Sequence, residues 1–266
     1  MIFMEIGKYY APETLEEAYN LFVESKDNKI IGGGAWVKIS LKRVEKLISL
    51  DQLKLDYIQE NNAYYEIGAM TNLRSVETNE NIKLIYSGIL NQAISNIMGV
   101  QIRNLATIGG SIMGKFAFSD LIGVLLVMDA KLEFYKLGEI SIYEFLDLKK
   151  IPEDILLNIK IPKRDSKGYF KKVSKTHLDF SIINIAISKG KNFIIAVGSR
   201  PGIAQSAINT ANYLNSQTNF TEEILDKACD IAIDELTFGS NLRASKEYRE
   251  LLVRTYIKRG IRQVIK

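Results

Sequence analysis

Gln101-Ile102-Arg103-Asn104-Leu105-Ala106-Thr107-Ile108-Gly109-Gly110-Ser111-Ile112 is the stretch on which the reading of this chain turns. It holds a glycine pair, several short polar side chains and few bulky groups. It follows an amphipathic helical pattern and precedes Asp120, which opens another apolar run. A Gly-Gly pair lets the backbone take positive φ and lets a ligand come close to main-chain N–H groups. Consecutive N–H groups near a helix start make a concave site for phosphate oxygens. A second such loop lies upstream, Ile30-Ile31-Gly32-Gly33-Gly34-Ala35-Trp36, straight after a β-like run. Two glycine loops suggest a ligand with two phosphates, held from both sides. Taken singly, each is equally compatible with a plain tight turn. Neither is a P-loop, because no Gly-Lys-Ser or Gly-Lys-Thr follows, and neither is a GxGxxG opening a Rossmann helix.

Composition narrows the chemistry. The chain has 266 residues, 47% of them apolar and 25% charged, enough for two or three compact lobes. The net charge of +4 is small and the basic residues are dispersed, which argues against nucleic acid as a partner. Lysine pairs such as Lys149-Lys150 and Lys171-Lys172 read first as solvated faces. The single cysteine, Cys229, cannot make an internal disulfide, a zinc site or an iron–sulfur cluster. On its helical pattern it reads as a small buried hydrophobe. The single histidine, His177, cannot build a histidine-rich metal site. Redox chemistry on this chain therefore needs an organic cofactor. No signal peptide opens the sequence, and the longest apolar run, Leu121 to Met128, is too short to span a membrane. The expected setting is cytoplasmic, with no membrane partner.

Outward from the glycine loops, periodicity assigns the elements. A helix begins at Pro12 and carries Leu15, Ala18, Leu21 and Phe22 as its apolar stripe. Lys29-Ile30-Ile31 is a short strand, residues 37–42 a short helix, and Lys46 to Leu50 a strand, giving a βαβ-like lobe. Asp56 to Gly68 is a hairpin around Glu60-Asn61-Asn62. Thr71 is positioned to cap a following helix. One long helix is expected over 82–97, with Ile85, Ile89, Ala93 and Ile97 spaced by four. Ser119-Asp120 opens the Leu121–Met128 helix, and strands follow at Lys131–Tyr135 and Ile155–Pro162. Lys163 to Gly168 reads as a linker. Beyond it come a strand at Tyr169–Ser174 and a hairpin of Ile182–Ile187 with Asn192–Gly198. Helices close the chain over Ala204–Leu214, Thr221–Glu235 and Lys246–Val264.

The phrase Ile102-Arg103-Asn104-Leu105-Ala106-Thr107-Ile108-Gly109-Gly110-Ser111-Ile112, followed by Ser119-Asp120, resembles the second flavin loop of the FAD-binding (medium) subunits of molybdenum hydroxylases. That family includes xanthine dehydrogenase and aerobic carbon monoxide dehydrogenase. Its pattern reads Ile-Arg-Asn-x-Ala-Thr-Ile-Gly-Gly-Asn-Ile, and Gly32-Gly33-Gly34 resembles its first glycine loop. The likeness covers nearly the whole chain. It implies an α+β protein: a two-lobed PCMH-type FAD-binding fold with a C-terminal three-stranded sheet plus helices. The implied domains are an N-terminal FAD-binding lobe over 1–53, a second lobe over 54–165 and a C-terminal α+β domain over 166–266.

The resemblance also implies a site. FAD would meet Ile31, Gly32, Gly33, Gly34, Ala35 and Trp36 from one loop, and Thr107, Gly109, Gly110 and Ser111 from the other. Asp120 matches the family's acid near the ribityl and phosphate region; ionised, it accepts from hydroxyls. Read without the family, it is an N-cap for the helix behind it. Leu156 matches an apolar residue packed on the cofactor and reads otherwise as strand core. Lys171 matches a lysine near the flavin ring and reads otherwise as a solvated strand lysine. No catalytic acid or base and no metal ligand is implied. The chain departs from the pattern at Gly34 and Ala35, Trp36, Ser111, Gly114 and Phe116-Ala117, and each change removes a side-chain hydrogen bond worth about 1 kcal/mol. The expected function is the FAD-binding electron-transfer subunit of a heteromeric oxidoreductase. Its partners would be an iron–sulfur subunit and a molybdopterin-binding subunit, with NAD or another molecule as acceptor. The alternative is a scaffold subunit of the same complex that has lost or weakened its flavin.

Overall fold

The computed structural model describes residues 4–36 and 43–266. The helix expected over 37–42 lies outside the described residues. The chain divides into two compact units. The first comprises Met1–Val76, Val100–Gly114 and Ala130–Ile161; the second comprises Glu77–Gly99, Lys115–Asp129 and Pro162–Lys266. Two segments from the middle of the chain thus pack with the C-terminal residues rather than with their neighbours in sequence.

The first unit holds two sheets. Strands β1 (Glu5–Tyr10), β2 (Lys29–Ile31) and β3 (Arg43–Ser49) form a parallel sheet in the order β1-β3-β2. Helix α1 (Leu15–Val23) links β1 to β2, and Thr14 caps it by accepting from Glu17 N–H. The cap falls two residues past Pro12, where the helix was expected to begin. Strand β1 had no counterpart in the sequence reading. Its residues are almost wholly exposed on both faces, so Glu5-Ile6-Gly7-Lys8-Tyr9-Tyr10 carries no alternation. Strands β4 (Ile58–Glu60) and β5 (Tyr64–Gly68) form the expected hairpin. They join β6 (Lys131–Phe134), β7 (Gly138–Ser141) and β8 (Leu156–Pro162) in a five-stranded sheet ordered β4-β5-β8-β6-β7. Ala18, Ile48, Leu50, Leu55 and Ile155 share one buried cluster, so the two sheets of this unit are built on common core.

The second unit is an antiparallel sheet covered by helices. Strands β9 (Lys167–Val173), β10 (Ile183–Lys189) and β11 (Phe193–Gly198) pair as expected, and a short fourth strand, β12 (Gln205–Ser206), adds to the edge of β11. The helix expected from Ala204 therefore starts only at Ile208. Its apolar neighbours Ala204 and Ala207 are buried as strand-flanking residues. The two C-terminal helices, Glu222–Glu235 and Lys246–Val264, form as their patterns predict, with Thr221 and Ser245 as caps. Gly260 lets the last helix settle on the sheet: a Cβ there would come within 2.5 Å of Tyr169 Cδ1.

The long helix expected over 82–97 does not form. A 3₁₀ segment, Ile82–Gly88, precedes an α-helix, Ile89–Ser95; at the break Ile85 is extended and Tyr86 and Ser87 have positive φ. Tertiary contacts compensate this strain. Tyr86 Oη donates to Pro162 O at 3.2 Å, and Ser87 Oγ accepts from Gly168 N–H at 3.1 Å. Gly168 fits only because it lacks a side chain, since a Cβ would lie 2.1 Å from Tyr86 O. The period-four isoleucines are thus split between two short elements that dock β9.

Candidate functional site

The central stretch is not an open loop. It forms two short helices, Val100–Leu105 and Ile108–Met113, joined through Ala106 and Thr107. Its amides are spent close by. Ile108 N–H donates to Thr71 O at 2.9 Å and Gly109 N–H to Ala69 O at 2.9 Å. Gly110 N–H donates to Thr107 Oγ1 at 3.1 Å, and Ser111 N–H to Thr107 O at 3.0 Å. Thr107 is therefore the N-cap that organises the segment. Thr71, expected to cap the helix that follows it, Leu73–Thr78, instead donates its hydroxyl to Tyr57 O, and Asn72 Oδ1 takes the capping bond from Ser75 N–H.

The upstream glycine segment meets this one within the first unit. Strand β2 ends at Ile31, paired with Ser49. A Cβ on Gly32 would lie 2.5 Å from Thr107 Oγ1, and one on Gly33 would lie 1.3 Å from Leu105 O. Gly34 has φ +69°. Three successive glycines are thus required, two by the approach of another backbone and one by conformation. Among the described residues, no backbone acceptor meets the N–H of Gly33, Gly34 or Ala35. Gly110 is exposed, and nothing but Thr107 crowds it. Together these features fit a dinucleotide: a cradle that side chains would fill, with main-chain donors left over for phosphate oxygens. Trp36, at the end of the segment, is half-buried. Leu156 is buried in β8 of the same unit.

Asp120 and Lys171 belong to the second unit. Asp120 stands at the N-cap position of helix Leu121–Val127 but makes no capping bond; Ser119 Oγ accepts from Leu121 and Ile122 N–H instead. The Asp120 carboxylate turns into a buried polar cluster. It accepts from Ser181 Oγ and from Asn184 Nδ2 at 2.9 Å, and Lys172 Nζ lies 3.4 Å away. Burial pushes its carboxyl up, against the opposing pull of Lys172, Ser181 and Asn184. Lys172 Nζ also donates to Asn96 O at 2.7 Å. Lys171 points to the opposite face of β9, exposed, with its ammonium 5.7 Å from the centre of the Tyr256 ring. Lys172, read with Lys171 as a solvated face, is instead buried with its side chain 4% exposed; Ser181 and Asn184 were not singled out in the sequence. Strand alternation in β9 was the available signal, because adjacent lysines on a strand must face opposite ways.

Cys229 is fully buried, donates to Arg254 O at 3.4 Å, and burial pushes its thiol up to about 11. Among the described residues, no group of His, Cys, Asp and Glu side chains could hold a metal ion, and no helix is long and apolar enough to cross a membrane.

The joined glycine segments fit one class, chains that hold a dinucleotide on backbone amides. Comparison with known proteins makes the class specific. Residues 4–164 match the family described as the FAD binding domain in molybdopterin dehydrogenase, and residues 168–264 match the CO dehydrogenase flavoprotein C-terminal domain. The chain belongs to this family of FAD-binding oxidoreductase subunits. It is 26% identical to a xanthine dehydrogenase FAD-binding subunit of Escherichia coli O157:H7, over 98% of this chain and 97% of the relative. It is 25% identical to the nicotine 6-hydroxylase medium subunit of Paenarthrobacter nicotinovorans, over 96% and 95%. Its fold is similar to a chain of carbon monoxide dehydrogenase from Hydrogenophaga pseudoflava, with a TM-score of 0.88, 22% identity, and 99% and 98% covered.

Proposed function

We propose that this chain is the flavin-carrying electron-transfer subunit of a heteromeric molybdenum hydroxylase. Bound FAD would supply the chemistry that takes electrons from a partner's iron–sulfur clusters and passes them to NAD or another acceptor. The observation that carries the reading is the meeting of Gly32 and Gly33 with Thr107 and Leu105. It leaves the amides of Gly33, Gly34 and Ala35 with no described backbone acceptor. The chain's own part is to bind and orient. Thr107 fixes the second segment, and the main-chain donors suit phosphate oxygens. The one cysteine, buried and protonated, cannot ligate a cluster, so clusters and molybdenum cofactor are assigned to separate partner subunits. The same reading places the complex in the cytoplasm.

The test is an absorbance spectrum of the purified full chain after incubation with FAD and desalting. Retained bands near ~370 and ~450 nm, bleached anaerobically by NADH, are expected for a flavin that exchanges electrons with NAD. Retained bands that bleach only with a reduced cysteine-rich partner would assign another acceptor. No retained flavin, alone or with partners, would leave the scaffold role.

A further inference from the structure

The second unit contains a pair of arginines with no carboxylate beside them. Arg249, on the long C-terminal helix, is 1% exposed. Its Nη1 donates to Ile182 O and, at 2.5 Å, to Ser199 O; its Nη2 donates to Asn241 Oδ1 at 2.6 Å. Its Nε–H is buried without a partner among the described residues. Arg243 sits on the turn just before that helix, and its backbone N–H donates to the same Asn241 Oδ1 at 2.9 Å. Its guanidinium carbon lies 5.1 Å from the centre of the Phe180 ring. The Arg243 Nε–H is likewise buried and unpartnered, and no acceptor among the described residues meets the rest of its fork. Burial, and then the Arg243 charge, hold Arg249 below the ordinary guanidinium value.

The acids nearby are already engaged. Asp120 takes Ser181, Asn184 and Lys172. Asp179 Oδ1 accepts from Phe180 N–H at 2.7 Å, and Glu250 lies 3.6 Å from Lys246. Two adjacent cations, one wholly buried, with no counter-charge are unfavourable unless an anion completes them. A guanidinium laid over an aromatic ring with its donors free is prearranged for a bidentate oxyanion. The ring beneath it continues into others: Phe180 is 4.3 Å from Phe118, which stacks on Phe116 at 5.2 Å. Aromatic surface beside a phosphate-binding arginine is the combination that a nucleotide uses.

We propose that Arg243, backed by Arg249 and seated on Phe180, is a subsite for the diphosphate of a nucleotide. The nucleotide part rests on the flavin-carrier reading above; because FAD's own diphosphate is assigned to the glycine segments of the first unit, the source here is a pyridine-nucleotide acceptor.

The experiment titrates inorganic pyrophosphate and ADP into the full chain by calorimetry, with and without FAD, for the wild type, Arg243→Gln and Arg243→Lys. Circular dichroism confirms that the variants fold. Pyrophosphate should bind the wild type, and Arg243→Gln should weaken it about tenfold or more. Arg243→Lys should restore only part, because an ammonium cannot supply a fork. If Arg243→Gln also sheds FAD on desalting, the assignment to a separate acceptor is overturned. If FAD is kept and the flavin-loaded chain loses ADP and pyrophosphate, the subsite serves the acceptor. Equal affinity in wild type and Arg243→Gln, or no binding to the wild type in either state, overturns the proposal. A wild type that retains no FAD, alone or with partners, yet binds pyrophosphate through Arg243 sinks the flavin reading and leaves the subsite standing.

Discussion

Lys172 Nζ lies 3.4 Å from Asp120 Oδ2, with the two side chains only 4% and 6% exposed. The pair joins β9 to the start of helix Leu121–Val127, and Ser181, just before β10, and Asn184, within it, complete it. Removing one member of a buried pair strands the other charge. Lys172→Met should therefore lower unfolding free energy by about 3 kcal/mol in urea titrations. A loss below about 1 kcal/mol would mean the pair is solvated in solution.

Asp120 also sets a pH dependence. Burial raises its carboxyl above the ordinary 3.8. The folded state then holds the proton more tightly than the unfolded chain, so stability falls as pH rises from about 3.8 through the folded value. Asp120→Asn should flatten this part of the stability–pH curve relative to wild type. An unchanged slope would assign it to other carboxyls.

The glycines of the two segments should behave differently from one another. Gly33→Ala puts a Cβ 1.3 Å from Leu105 O and should unfold the first unit locally, with loss of flavin. Gly110→Ala meets only Thr107 Oγ1, at 3.0 Å, and gains about 1 kcal/mol of helix propensity. Gly110→Val should keep the C-terminal unit folded but release FAD. Flavin occupancy equal to wild type in Gly110→Val would place the cofactor elsewhere.

The Cys229 thiol, pushed up to about 11, should stay protonated and closed in the native protein. Thiol reagents at pH 8 are expected to label it only after urea unfolding. Rapid labelling of the native chain would show that the packing of the two C-terminal helices opens.

Arg249 offers a stabilising substitution. Its Nη2 already donates to Asn241 Oδ1, and Asn241 is exposed, so a carboxylate there costs little desolvation. Asn241→Asp should raise stability by about 1 kcal/mol, read as a higher Tm, and should weaken pyrophosphate binding at Arg243. A Tm at or below wild type would show that the carbonyls of Ile182 and Ser199 already satisfy the guanidinium.

Local pattern was sufficient for much of this molecule. Alternation identified the β4–β5 and β10–β11 hairpins, and a threonine before two glutamates identified the start of the helix at Glu222. The run Ile102 to Ile112 named the family and FAD through its resemblance to the family's second flavin loop; its Gly109 and Thr107 themselves answer to Ala69 and Gly32, far off in sequence. Other features depend on groups far apart in the chain. Strand β1 is exposed on both faces, so its pairing with β3 leaves no apolar period to read. The break at Tyr86 and Ser87 is decided by Pro162 and Gly168, about eighty residues on. Which of two adjacent lysines meets Asp120, and that Arg249 is buried without a carboxylate, follow from how β9 and the last helix dock. The sequence by itself determined most of the elements, since period and backbone freedom are properties of short segments, and its resemblance to the family supplied the cofactor class. Only the tertiary structure decided which charges are buried together, since desolvation depends on what the rest of the chain brings against them.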